Sequence, residues 1–359
     1  MAAIPRDASI DSTLAMLRDT YRFISKRCQF YGSDLFETRI MLRKTIYQPT
    51  LFMRGGIMPG RIEKTLFGRG GVQGLDDAAH RHRKKMLLSV MTPAQVEQLI
   101  ETASREWHIA ARKWASMGEV VLYDALQELL TRAACTWAGV PPREEETRLR
   151  TRQITALFDD AATLGPRHWW ARLARKFAER WMSRIVAQIQ TGDLTPPPTS
   201  AAHIIAGHQD LTGGFLSHRI AAVELLNVVR PTVAVAVYIT FVAHALQSHP
   251  ECRQKLRSGE KGYAELFAQE VRRFYPFFPF VMARARHDFD WKGYKFSRGT
   301  RVLLDLYGTN HDTRTWRAPE KFDPDRFRKW DPSLYNFIPQ GGGDPAVNHR
   351  CPGERNCPN

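Results

Sequence analysis

The chain has 359 residues, of which 43% are hydrophobic and 25% are charged. This composition is normal for a soluble globular protein, excludes disorder as the main state, and allows a sizeable buried core. The formal net charge is +15. The basic residues are scattered among helix-like segments such as TRLRTRQ at 147–153. We therefore expect no nucleic-acid partner, and interpret the charge as a solvated basic face that can also steer small anions.

Cysteine usage and hydropathy bear on where the protein resides. An odd, sparse set of five cysteines argues against a disulfide framework and favours a reducing compartment: Cys28, Cys135, Cys252, Cys351 and Cys357. The N-terminus has no apolar run typical of a signal peptide. The most apolar stretch, Thr232 to Leu246, is shorter than the roughly 20 residues that span a bilayer. It predicts a buried core helix, so we expect a cytoplasmic protein with no transmembrane segment.

The predicted elements are mostly helices, separated by loops rich in Gly and Pro at 55–60 and 191–200. The segment at about 10–47 has helical spacing followed by a short apolar strand-like piece. Helical spacing then recurs at about 76–114, 122–137, 144–190, 218–247 and 260–275. Thr92-Pro93 with Glu97 beyond it is typical of a helix start. After Pro276 the pattern changes to short β-type runs broken by Gly. The sequence therefore predicts a mainly α (α+β) fold with a small late β-region, in one domain over 1–359.

Three short motifs near the C-terminus carry candidate chemistry. Glu270-Val-Arg-Arg273 places Glu and Arg on one helix face, which alone is an ordinary pair, and PDRF at 324–327 is equally common. The third motif, IPQGGGDPAVNHRCPGE, places Cys351 after a Gly-rich loop. Gly-rich backbone lets N–H groups and a flat cofactor approach a thiolate closely. Zinc binding by Cys351, His349 and Cys357 is an alternative, but it lacks a second pair at ligand spacing.

The apolar helix AAVELLNVVRPTVAV contains a second unusual feature, Arg230-Pro231. A proline inside a helix removes one backbone hydrogen bond, here to the carbonyl of Asn227. An arginine on an apolar helix is costly to bury without an anionic partner, and its guanidinium fork suits a carboxylate. The alternative is an arginine at a helix bend that reaches solvent.

The order EVRR, PDRF, then a Gly-loop cysteine resembles the cytochrome P-450 superfamily. The resemblance implies the cytochrome P-450 fold and a haem b cofactor, with Cys351 as the axial thiolate that ligates the iron. It also implies that Glu270, Arg273 and Arg326 form a buried charge network that braces the loop on the haem side.

Within that superfamily, Arg230-Pro231 together with FGRGGVQGLDDAAHRHRK, EVRRFYPFFPF and LLDLYGTNHD resembles the bacterial fatty-acid peroxygenases. These enzymes use hydrogen peroxide without an obligatory reductase and hydroxylate fatty acids near the carboxylate. The resemblance implies that Arg230 binds the carboxylate, which then acts as the general acid–base for peroxide. Pro231 would shape the groove for peroxide. Gln73 matches the residue of hydroxylating relatives, where alkene-forming ones carry His, so we expect hydroxylation to dominate.

Further positions match family residues, although ordinary structural roles remain open for all of them. Three aromatic residues match the acyl channel and could equally be plain core: Phe67, Phe277 and Phe280. Three cations match residues near the haem propionates and could equally lie on a basic surface: Arg54, His80 and Arg83.

The chain departs from the family at its C-terminus, where it ends at CPGERNCPN. Relatives continue into a long helix, which Glu354 and Arg355 could begin, and then a β-region. We therefore expect the domain to be incomplete there and the chain as written to hold haem weakly, because one isolated turn is not a stable helix. Two alternative functions stay open: a dioxygen-dependent monooxygenase with a reductase partner, and an inactive haem- or fatty-acid-binding remnant.

Overall fold

A computed structural model describes residues 5, 19–33, 50–275, 277–291, 293–331 and 333–353. Its α-helices are α1 Phe23–Phe30, α2 Gly60–Leu66, α3 Asp77–Val90, α4 Pro93–Ala115, α5 Leu122–Ala138, α6 Thr147–Asp159, α7 Pro166–Thr191, α8 Ala201–Ala206, α9 His218–Val233, α10 Val235–Ser248, α11 Pro250–Arg257, α12 Tyr263–Phe274 and α13 Leu306–Asn310. The strands are β1 Phe52–Met53, β2 Phe280–Ala285, β3 Phe289–Trp291, β4 Tyr294–Phe296 and β5 Arg301–Asp305. Short 3-10 helices cover Val72–Gly74, Glu144–Glu146 and Pro324–Lys329. The predicted mainly α fold with a small late β-region is confirmed.

The chain divides into two compact units, and each has its own hydrophobic core. The first unit comprises residues 1–57 and 241–359, and the second comprises residues 58–240. The expectation of one domain over 1–359 stays a prediction.

The second unit is helical and packs around α9. Residues 221–230 of α9 are all buried, so this helix is covered on every side. The buried Ala178 and Met182 of α7 belong to the same hydrophobic cluster as Leu225 and Val229 of α9. A helix that is buried on all sides is expected only in such a central position. Polar side chains on α9 are therefore held by the surrounding elements.

The first unit combines two small antiparallel sheets with helices. β2 lies between β1 and β5, with Phe52 opposite Ala285 and Phe280 opposite Asp305. β3 and β4 form a separate hairpin. One apolar cluster lies along the three-stranded sheet, and an aromatic cluster of Trp316, Phe327 and Phe337 lies near the PDRF segment.

The apolar helix differs from expectation in two ways. Residues 218–247 form two helices, α9 and α10, that meet at Ala234. Pro231 has no N–H to donate, and the Val237 N–H bonds to the Ala234 carbonyl three residues back, so the regular ladder is interrupted here. α10 is also not a buried core helix, since Val235 is 41% exposed and the residues of 237–243 are only half-buried.

Length and composition alone would let His218–Ser248 cross a membrane, but half of its most apolar window is buried inside the protein. Core helices of soluble proteins share this property. The predicted helix start at Thr92 is confirmed, because its side-chain oxygen accepts a hydrogen bond from the Gln95 N–H. The predicted helix start at Glu354 and Arg355 lies outside the described residues, as does Cys357.

Candidate active site

Arg230 is buried in the last turn of the apolar helix α9. It is 5% exposed, and its guanidinium carbon lies 5.6 Å from the centre of the Phe67 ring. A cation over an aromatic face is stabilised by the negative face of the ring. The alternative of an arginine that reaches solvent at the bend is therefore wrong.

The loop that carries Phe67 is fixed by a second buried arginine. Arg175 of α7 is 2% exposed and donates to the carbonyls of Leu66 (3.4 Å) and Phe67 (3.1 Å). Glu179, one turn further along α7, neutralises it at 2.6 Å. Gly68 follows with φ +80°, and any Cβ there would collide with Arg175. These contacts determine the position of the Phe67 ring beside Arg230.

A chain of hydrogen bonds joins α9 to the 3-10 helix that carries Gln73. The Asn227 side-chain amide donates to Gln73 Oε1 at 3.1 Å and to Glu224 Oε2 at 3.3 Å. Glu224 in turn accepts from Arg83 Nη1 of α3 at 2.7 Å. Gln73 is half-buried, whereas Glu224 and Asn227 are 0% and 6% exposed. The orientation of the Gln73 amide is thus set by buried groups.

Within this series of hydrogen bonds, burial has the largest effect on the pKa of Glu224. Removal from water raises the pKa of the Glu224 carboxyl above its ordinary value, while Arg83 and Asn227 act in the opposite direction. Arg83 is 8% exposed and His80, one turn before it, is 4% exposed. Both side chains therefore face the protein interior, and the alternative that places them on a basic surface is wrong. Their proposed contact with haem propionates stays a prediction.

Cys351 lies at the end of the glycine-rich loop, and hydrogen bonds from backbone N–H groups hold this loop in place. Its N–H donates to the Gln340 carbonyl at 3.3 Å, and the Gln340 side chain accepts from Arg272 Nη2 of α12 at 2.9 Å. Gly343 has φ +83°, and a Cβ there would come 2.5 Å from Asn348 Oδ1. Asn348 Oδ1 accepts from the Asp344 N–H, which closes the turn. The thiol is half-buried and forms no disulfide with another cysteine of the described residues.

The residues around Cys351 fit an iron atom whose other ligands come from a macrocycle such as the porphyrin of haem. Within the described residues, no group of three or more His, Cys, Asp or Glu side chains could hold a metal ion. A single thiolate makes a stable metal site only when a macrocycle supplies the remaining donors, as in haem. A Cβ at Gly353 would lie 3.8 Å from the sulfur, so this position leaves the thiol uncrowded. The zinc alternative needs Cys357, which is outside the described residues.

Glu270, Arg273 and Arg326 form a buried charge network. Glu270 accepts from Arg273 Nε at 2.7 Å, from Arg326 Nε at 3.3 Å and from the Asp323 N–H at 2.8 Å. The Glu270 and Arg273 side chains are both fully buried. Both arginines also donate to backbone carbonyls of 310–321, so the network fixes the segment that leads to the PDRF motif.

The remaining predicted residues all lie in the first unit. Arg54 follows β1 and is half-buried. Phe277 contacts Phe278 edge to face at 4.9 Å between ring centres, whereas Phe280 packs against the cluster that contains Phe23 and Leu303. The plain-core interpretation therefore describes the observed contacts of Phe280, and its proposed contact with an acyl chain stays a prediction.

Sequence reasoning missed Glu224, Asn227 and Arg175. The signal for the first two was present, because a charged and an amide residue at i and i+3 interrupt the same apolar run that drew attention to Arg230. Arg175 lies in a helix with many basic residues, and only its burial distinguishes it.

The family model of cytochrome P450 matches residues 260–355. Matches to the first four curated proteins span 121 to 127 residues, and the matched region covers only 23% to 25% of the length of each of those proteins.

Solved structures match nearly the whole chain. Cytochrome P-450SP alpha (CYP152B1), in complex with (R)-ibuprophen, is 51% identical, with a TM-score of 0.93 and coverage of 97% of this chain and 88% of that chain. Cytochrome P-450EX alpha (CYP152N1), with myristic acid, is 41% identical, with a TM-score of 0.94 and coverage of 99% and 89%. An OleT variant in complex with arachidonic acid is 32% identical, with a TM-score of 0.95 and coverage of 98% and 87%.

Proposed function

The chain belongs to the CYP152 group of the cytochrome P-450 superfamily, and we propose that it hydroxylates long-chain fatty acids near the carboxylate with hydrogen peroxide. The observation that carries this proposal is the buried Arg230 on the apolar helix α9. Two of the similar structures hold fatty acids, myristic acid and arachidonic acid, which supports an acidic lipid as the substrate class.

Haem b, ligated by a cysteine thiolate as in this superfamily, supplies the oxidising chemistry when it is bound. Cys351 is the ligand in this proposal, and the glycine-rich turn around it keeps the thiol accessible. Gln340 holds the backbone of that turn, because its carbonyl accepts from the Cys351 N–H and its side chain accepts from Arg272. Arg54, His80 and Arg83 are the proposed partners of the two propionates.

Arg230 binds the fatty-acid carboxylate in this proposal, since a planar guanidinium can grip a carboxylate with two parallel hydrogen bonds. Burial strengthens such a pair, because water does not screen it. Phe67 lies against the same guanidinium and offers an apolar surface to the first carbons of the acyl chain. Phe277 and Phe280 are the proposed contacts for carbons further along.

The substrate carboxylate also serves as the acid–base group. It takes a proton from one oxygen of hydrogen peroxide and returns it to the oxygen that leaves as water. No side chain is then required as the proton carrier. Pro231 shapes the space for peroxide. Gln73 lies in the same unit as Arg230, and its side-chain amide is held in place because its oxygen accepts a hydrogen bond from Asn227. We expect a peroxide-driven reaction without a reductase, in the cytoplasm.

The test is peroxide-driven turnover by the full chain after reconstitution with excess haemin, which separates activity from weak haem retention. The Arg230→Ala variant is expected to lose fatty-acid hydroxylation at least 100-fold, because the carboxylate loses its partner. Arg219→Ala, an exposed arginine on the same helix, is the matched control and keeps the activity. Haem uptake, read from the Soret absorbance, should be equal in all three proteins.

Product identity tests the role of Gln73. Hydroxy acid is expected as the main product, and a reaction that gives mainly terminal alkene would reject this part of the proposal. If the Arg230→Ala variant keeps full fatty-acid turnover, the proposal that Arg230 binds the substrate carboxylate is wrong.

A further inference from the structure

The outward side of α7 is unusually apolar near its N-terminus. Trp169, Trp170, Leu173 and Phe177 are 73%, 38%, 44% and 38% exposed. Residues 169, 173 and 177 follow the i, i+4, i+8 spacing of one helix face. Leu164, just before the helix, is 65% exposed. Single exposed apolar residues need no explanation, but a continuous stripe with two adjacent tryptophans marks a binding surface.

Basic side chains continue the same surface. Three cations of this surface are exposed: Lys176, which directly precedes Phe177, and Arg180 and Arg184, which come after it along the helix. The half-buried Arg172 lies beside Leu173. The only acidic residue of α7, Glu179, is occupied by the buried Arg175. In the part of the chain that the structure describes, no carboxylate pairs with Lys176, Arg180 or Arg184. We call Trp169, Trp170, Leu173, Phe177, Lys176, Arg180 and Arg184 the outer face of α7.

We propose that the outer face of α7 docks on the surface of an anionic lipid bilayer. Tryptophan prefers the membrane–water interface, where its ring contacts acyl chains and its N–H stays near headgroups. Lysine and arginine beside Trp, Leu and Phe are the composition of helices that lie in this interface. Each cation near an anionic membrane adds electrostatic attraction.

Charge favours lipid over a second copy of the chain. A two-fold contact through this surface would bring Lys176, Arg180 and Arg184 of each copy close to the same cations of the other. The protein carries a net charge of +15, so like-charge repulsion also opposes the association of two copies. An anionic bilayer neutralises the cations and covers the apolar stripe at once.

The experiment is co-sedimentation of the full chain with vesicles of phosphatidylcholine alone or of equal parts phosphatidylcholine and phosphatidylglycerol. Binding is expected only to the anionic vesicles and should weaken as salt is raised. The double variant Trp169→Ser, Trp170→Ser is expected to bind roughly tenfold less tightly. The triple variant Lys176→Gln, Arg180→Gln, Arg184→Gln should lose roughly 100-fold, from about fivefold for each cation.

Matched controls lie on α4, where exposed residues of the same types occur. Ile100→Ser with Ile109→Ser removes exposed apolar surface, and Arg105→Gln, Arg112→Gln, Lys113→Gln removes the same net charge; both should bind like the unchanged chain. Equal binding by test and control variants would overturn the proposal, as would no binding to anionic vesicles. Self-association in sedimentation velocity that disappears in the tryptophan variant, without vesicle binding, would assign the surface to a second copy instead. None of these readouts depends on fatty-acid turnover.

Discussion

Single buried charges in this protein are held by several partners each. Glu270 accepts hydrogen bonds from two arginines and a backbone N–H, and Arg273 donates to the carboxylate and to backbone carbonyls. Removal of one member of such a group leaves the others charged and without water. The buried triad therefore matters more for stability than the exposed ion pairs of the chain, which contribute little.

We predict that Glu270→Gln lowers the free energy of unfolding by about 3 kcal/mol. Glutamine keeps the shape of the side chain, but its amide nitrogen cannot accept the hydrogen bonds of Arg273 and Arg326. Urea denaturation at neutral pH measures the change. Glu265→Gln, exposed on the same helix, is the control and should stay within about 0.5 kcal/mol of the parent. Equal effects of the two substitutions would contradict the importance of the triad.

His311 makes stability depend on pH. Burial, helped by the nearby positive charge of Arg273, lowers the pKa of His311 from 6.5 to about 4. Its Nδ1 lies 3.0 Å from the Tyr307 carbonyl and therefore carries the proton, whereas the buried Nε2 has no hydrogen-bond partner among the described residues. Protonation at Nε2 would thus place an unpaired charge in the interior.

Between pH 6.5 and about 4 the unfolded chain binds the proton on His311 more readily than the folded protein. The contribution of this residue to stability is complete above pH 6.5 and is lost as the pH falls toward 4. We predict a shallower fall of the urea midpoint over this range in His311→Phe, which keeps the ring stacked near Tyr307. Parallel pH profiles for the two proteins would show that His311 is not the responsible group.

At the scale of elements, the 3-10 helix Val72–Gly74 reaches α9 only because Gly71 has no side chain. A Cβ on Gly71 would lie 2.8 Å from Asn227 Nδ2 and 3.1 Å from Val223 Cγ1. Its φ of −74° is open to any residue, so the restriction comes from packing alone. Both groups belong to a helix that is buried on all sides and cannot shift easily.

We predict that Gly71→Ala destabilises the protein by about 1–3 kcal/mol through overpacking, and that it displaces the Gln73 amide from Asn227. Gly118→Ala is the matched control, because nothing lies within 4 Å of a Cβ there and its φ is not positive. Thermal or urea unfolding of both variants measures the difference. A change in product distribution in Gly71→Ala alone would connect this contact to the reaction, whereas unchanged stability in both variants would contradict the packing argument.

Elements set by local spacing could be predicted from the sequence, whereas long-range pairs could not. The helix start at Thr92-Pro93 and the pairing of Glu270 with Arg273 follow from neighbours three residues apart. The pair Arg83–Glu224 joins positions 141 residues apart, and no periodic pattern reports such a contact. The break at Ala234 was missed because apolar spacing continues across it, although Pro231 marked the place.

At the scale of the whole molecule, the order of three motifs predicted the family, and the solved relatives confirm it. Arg230, Pro231, Gln73 and Phe67 fall in the second unit, whereas Cys351 and the Glu270 network fall in the first. This division could not be derived from periodicity, because each unit is assembled by contacts between distant parts of the chain. The outer face of α7 was likewise hidden, since the sequence shows the tryptophans but not their exposure.

In the proposed reaction, hydrogen peroxide supplies the oxygen atom that is inserted into the fatty acid. The most direct measurement is mass analysis of the product formed from myristic acid by the haem-reconstituted chain with oxygen-18-labelled hydrogen peroxide and no reductase. We expect a hydroxy acid that carries one oxygen-18 atom. A hydroxy acid labelled only when the gas phase contains oxygen-18 dioxygen, and formed only with an electron donor, would contradict it.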